Sequence, residues 1–471
     1  MAWWGSGWNP SSPPSTNDLP GAARLNRLEL LWSESFFAGS LAQLIARLTG
    51  LPAVVLLLGV GLVIGRAGFN LVQPETLGRG LEPLVGLLVS LVLFDGGLNL
   101  RLAGRDLQRT VVQLVVVRGI LGLLGGAWLA HQLAGLAWPL AWVFAAISLA
   151  TGPTVVTPMV QQMRLLPGLG QILQAEGLIL EPVGAVLALL LLQLALGDLA
   201  GWADVVSLLG LRVGGGVAIG AAGGLLLSLV LEHLPRGSGT EQEDPLPLQL
   251  ILGALFLLVS GTEWLLPEAG FPAAVAAGVV VGLRLDKEAS QLDELIAQLA
   301  QLAITVLFPL LAADLSWGEL SPLGLGGVGC VLALMLYRWL VIQLGSIGLP
   351  SLGWSEKLIL SWIAPRDIVT AAVASLFALQ LEAAGVEGAS ALKGLVFLMI
   401  LLTVGLQGFT APSLARRLGL VVTAEPSGPE TFFSAINEPG LLAGAPAAQG
   451  SPDPIEPAPS QTDPTDSGTS T

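Results

Sequence analysis

The sequence predicts an all-α polytopic membrane protein of about thirteen transmembrane helices, and three observations predict it. Of its 471 residues 53% are hydrophobic and only 11% charged, against roughly 25% charged in an average soluble chain, so the usual solvent of this chain is lipid and a soluble enzyme is disfavoured. Apolar stretches near the ~20 residues that cross a bilayer recur about ten times or more, which one or two anchoring helices on a soluble domain would not explain. The stretches are continuous runs of Leu, Val, Ala and Gly, as in Leu187 to Leu194 and Leu395 to Leu402, whereas a membrane barrel needs short segments that alternate apolar with polar. The spans are therefore helices.

Taken in order, the first 27 residues hold three tryptophans and four prolines but no apolar core, so residues 1–27 are expected to be a polar segment without a cleavable signal peptide. A transmembrane domain is expected over 28–420. Charged residues and Pro/Gly punctuation divide it into spans near 29–47, 52–65, 81–99, 111–134, 139–162, 170–196 and 204–231,. Six more follow near 247–266, 271–284, 295–313, 322–345, 355–380 and 391–414. Glu29 and Glu34 interrupt the first, and the second and ninth are short enough to lie tilted or partly re-entrant. The 60 glycines and 31 prolines suit membrane helices, where small residues allow close packing and neighbours re-satisfy freed backbone groups. Residues 421–471 are rich in Pro, Ser, Thr, Ala and Gly, with seven acidic and no basic residues from Thr423 onward. Half of the net charge of −14 thus lies in a segment too polar to offset the entropy of ordering, and it is expected to be a disordered acidic tail,.

Basic residues near span ends resist translocation. Thirteen spans put the termini on opposite sides, with eleven Lys and Arg on one face, from Arg47 and Arg101 to Arg416 and Arg417, against Arg24, Arg27, Arg66, Arg79 and Lys393 on the other. The expected protein is a multi-pass protein of the cell's inner (plasma) membrane with its N-terminus outside and its C-terminus in the cytoplasm. Two histidines and the single Cys330 disfavour a structural zinc site, a disulfide and nucleophilic enzyme chemistry. The basic surface that nucleic acid needs is absent, and no cofactor is expected.

Arg118, Arg212, Arg338 and Arg366 remain at or within apolar spans, where a charge costs about 2.5 to 3.5 kcal/mol unless it snorkels or pairs. Three segments combine polar residues with a helix breaker. In the first, Ala150 to Pro158, Gly152 permits unusual dihedrals and Pro153 lacks an N–H,. An unwound stretch there would present carbonyls and the hydroxyls of Thr151, Thr154 and Thr157 to a hard monovalent cation. The same segment also reads as a proline kink whose threonines bond back to the helix.

In the second segment Glu176 and Glu181 are five residues apart in an apolar helix, followed by Pro182. Their side chains diverge by roughly 140° and lie about 7.5 Å apart along the axis, so they face different partners. Pro182 is expected to interrupt the helix and free the Leu178 carbonyl beside Glu181. A buried carboxylate that takes either a proton or a cation is the minimum chemistry of an exchanger, although two glutamates near a loop would look similar. The third segment, Trp362 to Thr370, places Pro365 before Arg366 and Asp367. Arg366 needs a counter-ion, and Glu176 is a better candidate than its neighbour Asp367, about 100° away around the helix, although a local Arg-Asp pair stays open. Asp95, in Leu91 to Leu100, is a possible accessory acid or a helix-end cap.

These residues resemble a family, the bacterial sodium/proton antiporters of the monovalent cation:proton antiporter-1 family, within the sodium/hydrogen exchanger superfamily. Leu91 to Leu100 looks like its L-x-F-E/D-G-G-L-x-L segment, Thr151-Gly152-Pro153 like its T-D-P, and Glu176 to Glu181 like its E-S-L-x-N-D. Trp362 to Thr370 is similar to its arginine-bearing segment, and Gly408 to Arg417 to its closing motif. The resemblance implies an inverted-repeat fold with two interrupted, crossing helices, a homodimer, and an elevator-like movement of a core against a dimerisation domain. It implies that Glu181 alternately holds cation and proton, with Thr151 as a ligand, and that a Glu176–Arg366 pair holds the core together. Na⁺ or Li⁺, with K⁺ as a further candidate, would exchange for H⁺ in the service of pH and sodium homeostasis. The chain departs from the family where Gly152 and Leu180 replace Asp and Asn and Glu181 stands in for Asp. With one exchangeable carboxylate, charge counting predicts electroneutral exchange. Two other functions fit the same scaffold: an anion or organic-acid carrier using the half-helix N-termini, and a transport-inactive sensor whose tail binds a partner.

Overall fold

The computed structural model describes residues 21–49, 51–72, 81–100, 104–233, 246–284, 290–349, 352–366 and 368–422. The first 20 residues, the acidic tail from 423 and Asp367 lie outside them, as do the side chains of Pro153 and Thr154. Among the described residues the regular structure is helical, with one isolated antiparallel bridge between Leu165 and Val421.

The helices are α1 (Gly21–Thr49), α2 (Ala53–Ile64), α3 (Leu81–Leu98), α4 (Arg105–Ala134), α5 (Trp138–Ile147), α6 (Pro153–Met163), α7 (Pro167–Leu196) and α8 (Trp202–Glu232). They continue as α9 (Leu246–Leu265), α10 (Gly270–Arg284), α11 (Ser290–Ala312), α12 (Trp317–Leu320), α13 (Gly324–Gly345), α14 (Trp354–Trp362), α15 (Ile368–Ala383) and α16 (Ala389–Arg417). Every apolar segment expected from the sequence carries helix, and among the described residues seven helical stretches are long and apolar enough, by length and composition, to cross a membrane. The fifth segment splits into α5 and α6 and the twelfth into α14 and α15.

Local chemistry explains these boundaries. Gly152 is the N-cap of α6 and Pro153 its first residue, where the missing N–H costs nothing,. Pro167 opens α7 in the same way, and Gly197 closes it in the left-handed conformation at φ 84°,. Pro182 corrects the expectation of a third break: α7 runs uninterrupted from Pro167 to Leu196. A proline removes one ladder bond, and neighbouring helices cover α7 on both sides of it, with Leu178, Leu180, Gly184 and Val186 all buried,.

The helices pack in two groups. In one, α10 lies between α8 and α3, and α11 lies against α1, α2 and α3. In the other, α4 packs on α13, α5 on α4 and α7, and α15 on α16. Within this second group a long helix, a broken pair and a long helix occur twice, as α4, α5/α6, α7 and as α13, α14/α15, α16. The two units start an odd number of segments apart, so in a membrane they run in opposite senses.

Small residues set the approach of α8 to α10. Gly216, Gly220 and Gly224 recur at four-residue spacing on α8, and a Cβ on each would collide with the carbonyl of Ala269, Ala273 and Ala277 respectively,. Gly220→Val is expected to lower the thermal midpoint of the purified protein, since forced overpacking costs about 1–3 kcal/mol. An unchanged midpoint would mean that the two helices separate freely.

Between the groups, Lys393 of α16 is only 8% exposed. Its Nζ lies 3.1 Å from Asp314 Oδ2, just beyond α11, and 2.9 Å from Glu319 Oε1 of α12. Ser375 of α15 donates to the same Asp314 oxygen at 2.8 Å. The sequence reading placed Lys393 among the loop charges, because it stands at the head of an apolar run; the fold buries it in a salt bridge. On the opposite side of the molecule the chain after α16 is clasped to the α6–α7 turn: Leu166 N–H donates to Leu420 O and Val422 N–H to Arg164 O, both at 2.9 Å.

Candidate functional site

The two breaks leave backbone groups that a helix would have paired, and at membrane depth each must find a partner. Arginines supply them. Arg118 of α4 donates through Nη2 to Leu149 O at 3.1 Å and through Nη1 to Thr151 Oγ1 at 3.1 Å, in the first break. Arg338 of α13 donates through Nη2 to Leu360 O at 3.0 Å and to Ile363 O at 3.2 Å, around the second. Each repeat unit thus uses an arginine on its leading helix to tie down its own break. Arg366, in the second break, reaches across to the first and donates through Nη1 to Ala150 O at 2.8 Å. The N–H groups of the second break are met from α16, Ala364 N–H by Gln407 Oε1 at 2.9 Å and Arg366 N–H by Thr403 Oγ1 at 3.2 Å.

Glu176 of α7 joins the two arginine systems. Its Oε1 accepts from Arg118 Nη1 at 2.7 Å and from Arg338 Nη1 at 3.2 Å, and its Oε2 from Arg338 Nη2 at 2.9 Å. Both oxygens are committed to guanidinium donors, and the carboxylate is 2% exposed. The expected Glu176–Arg366 pair is therefore corrected: the counter-ions are Arg118 and Arg338, while Arg366 binds a peptide oxygen. Two of the four arginines within apolar spans, Arg118 and Arg338, thus share Glu176 as counter-ion, and Arg212 lies on α8, in the other group of helices.

Five residues along α7, Glu181 faces elsewhere, as the helical phase requires. It is 1% exposed and lines a narrow cavity with Thr370 of α15; the remaining wall is apolar, from Ile147, Ala150, Ala185, Ala188 and Val373. Thr151 is brought to the Glu176 system through its bond from Arg118. The structure places Asp95 near the C-terminal end of α3, where its Oδ1 receives Asn99 Nδ2 at 3.0 Å, in keeping with a helix-end role.

Sequence reasoning flagged Arg118 and Arg338 as costly charges needing partners but did not assign them to Glu176. It passed over Thr403 and Gln407 as anchors of the second break. The available signal was the placement of these polar residues in the spans that pack against the two breaks.

Comparison with known proteins follows the geometry. Residues 35–417 match the family model described as sodium/hydrogen exchanger, transmembrane. Na⁺/H⁺ antiporter 1 of Methanocaldococcus jannaschii is 27% identical over 352 residues, covering 71% of this chain and 80% of that protein. The Na⁺/H⁺ antiporter ApNhaP of Aphanothece halophytica is 23% identical over 417 residues, covering 84% of this chain and 75% of that protein. The solved structure of the sodium proton antiporter MjNhaP1 from Methanocaldococcus jannaschii superposes with a TM-score of 0.72 at 24% identity, covering 84% of this chain and 99% of that one. The inverted-repeat antiporter fold is therefore that of this chain, a multi-pass membrane protein. The chain belongs to the sodium/hydrogen exchanger transmembrane family.

Proposed function

We propose that the protein is a secondary transporter that exchanges Na⁺ or Li⁺, with K⁺ as a further candidate, for H⁺ by alternating access, with cation and proton competing for Glu181. One observation carries this reading: of the two glutamates on α7, Glu176 has both oxygens bound by Arg118 and Arg338, whereas Glu181 lines a separate, largely apolar cavity. A carboxylate in so apolar a surrounding favours an occupant that neutralises its charge, either a proton or a cation, and occupancy by one excludes the other. The names of the relatives, Na⁺/H⁺ antiporters, support the ion pair.

With a single exchangeable carboxylate the exchange is one cation for one proton and electroneutral. The protein works as a homodimer in the cell's inner membrane, N-terminus outside, with the α4–α7 and α13–α16 units moving against the other helices. The deciding measurement uses proteoliposomes with an internal acid load and a pH-sensitive dye. Adding Na⁺ or Li⁺ is expected to dissipate the gradient, with no change when a membrane potential is imposed. No response to Na⁺, Li⁺ or K⁺ across the neutral and alkaline range, with folded protein in the bilayer, would refute the antiporter reading.

A further inference from the structure

A second cavity lies at the other break. It has a volume of about 20 Å³, and its wall includes Arg338 of α13, Ser361 and Trp362 of α14, Ala364 and Arg366 of the break, and Gln407 of α16. That is room for one particle the size of a water molecule or a little larger. Unlike the Glu181 cavity, part of its wall is polar.

Two side chains bring nitrogen donors to this space. Arg338 is 7% exposed; its Nη1 and Nη2 meet Glu176 end on, while Nη2 also donates to Leu360 O and Ile363 O. A guanidinium is a planar fork whose Nε–H runs parallel to the outer N–H of Nη2, so the Nε–H points to the same side as those two carbonyls, that of the break. Among the described residues it has no hydrogen-bond partner. Gln407 holds the other end of the same peptide group: its Oε1 accepts the Ala364 N–H at 2.9 Å, whereas Arg338 binds the Ile363 carbonyl at 3.2 Å. With Oε1 fixed in this way, the amide presents Nε2 as its donor end. The hydroxyl protons nearby are already directed elsewhere, from Ser361 to Lys357 O at 2.6 Å and from Thr403 to Met399 O at 2.7 Å.

Charge points the same way. Arg118 and Arg338 share the single carboxylate of Glu176, so these three groups keep one positive charge over, and Arg366 also lines the cavity. A buried charge without a counter-charge is costly, and a buried N–H without an acceptor adds the penalty of an unmade bond. One small anion relieves both.

We propose that this cavity binds a monovalent anion of halide size, held by Arg338 Nε–H and Gln407 Nε2–H, as a resident counter-ion that fastens α13 to α16 across the second break. Water offers an acceptor but no charge, and a cation is repelled by the guanidinium in the wall. The assignment goes beyond the antiporter reading and does not depend on which cation is exchanged.

The test is thermal unfolding of the purified full chain in NaCl, NaBr and sodium gluconate at equal Na⁺ concentration, together with anomalous scattering from crystals grown in bromide. Gluconate is too large for the cavity, and equal Na⁺ holds any effect of the cation constant. Chloride and bromide are expected to raise the midpoint saturably, by about 2–4 °C over gluconate, and bromide is expected to give an anomalous peak between Arg338 and Gln407. Gln407→Glu keeps the acceptor for the Ala364 N–H and supplies a fixed negative charge, so it is expected to lose the halide dependence. If this variant does not fold, the bromide position in wild type carries the test.

Equal midpoints in the three salts overturn the proposal, as does a cavity without a bromide peak. A halide response kept in full by Gln407→Glu places the ion elsewhere and overturns it too. Halide uptake by vesicles containing the protein, above that of protein-free vesicles, would make the anion a cargo and refute its resident role.

Discussion

Glu181→Gln is expected to reduce cation-driven proton movement to the background of protein-free vesicles while leaving the protein folded. The amide has the shape of the carboxyl group but can neither release a proton nor attract a cation with a full charge, so both halves of the exchange are lost together. Glu181 is 1% exposed in a largely apolar cavity, and the amide matches the carboxyl group in size, so the packing is kept and the variant is expected to fold. Residual exchange in the variant, with the same ion selectivity, would show that the exchanged proton is carried elsewhere.

The second large effect falls on stability. Glu176→Gln strips the counter-ion from Arg118 and Arg338, whose guanidiniums meet on one carboxylate, and leaves two buried positive charges facing each other. Breaking a buried pair by removing one partner costs about 3–5 kcal/mol, so the variant is expected to melt far below wild type or fail to accumulate. The double variant Arg118→Met with Glu176→Gln removes one of the stranded charges and should recover part of the loss; the non-additivity of this cycle measures the coupling. Equal stability of Glu176→Gln and wild type, by thermal unfolding of the purified protein, would refute the structural role assigned to the carboxylate.

The contrast between the two glutamates shows where the sequence was readable. The apolar runs were legible because a bilayer demands length and hydrophobicity in one continuous piece, and the breaks at Gly152-Pro153 and around Pro365 because those residues cannot continue a helical ladder. The divergence of Glu176 from Glu181 followed from helical phase alone. Pro182 misled because one lost bond does not break a helix covered by its neighbours. The partners of Glu176 could not be chosen from four arginines, since Arg118 lies 58 and Arg338 lies 162 positions away along the chain; which of them reaches the carboxylate depends on helix packing. Arg366 was the tempting choice because it stands in a recognisable motif, yet the fold sends its Nη1 to the Ala150 carbonyl.

The clasp between Leu420, Val422 and the α6–α7 turn gives the end of the chain a mechanical address. The acidic stretch from Thr423 onward follows directly on the residues that grip Arg164 and Leu166, at the turn joining the half-helix after the first break to the helix that carries both glutamates. A tug on that stretch is therefore felt first at this turn, one short helix from the break. Whatever binds or anchors the end of the chain takes hold of a handle on the transport machinery, and shortening the chain before Leu420 would remove the handle together with its grip.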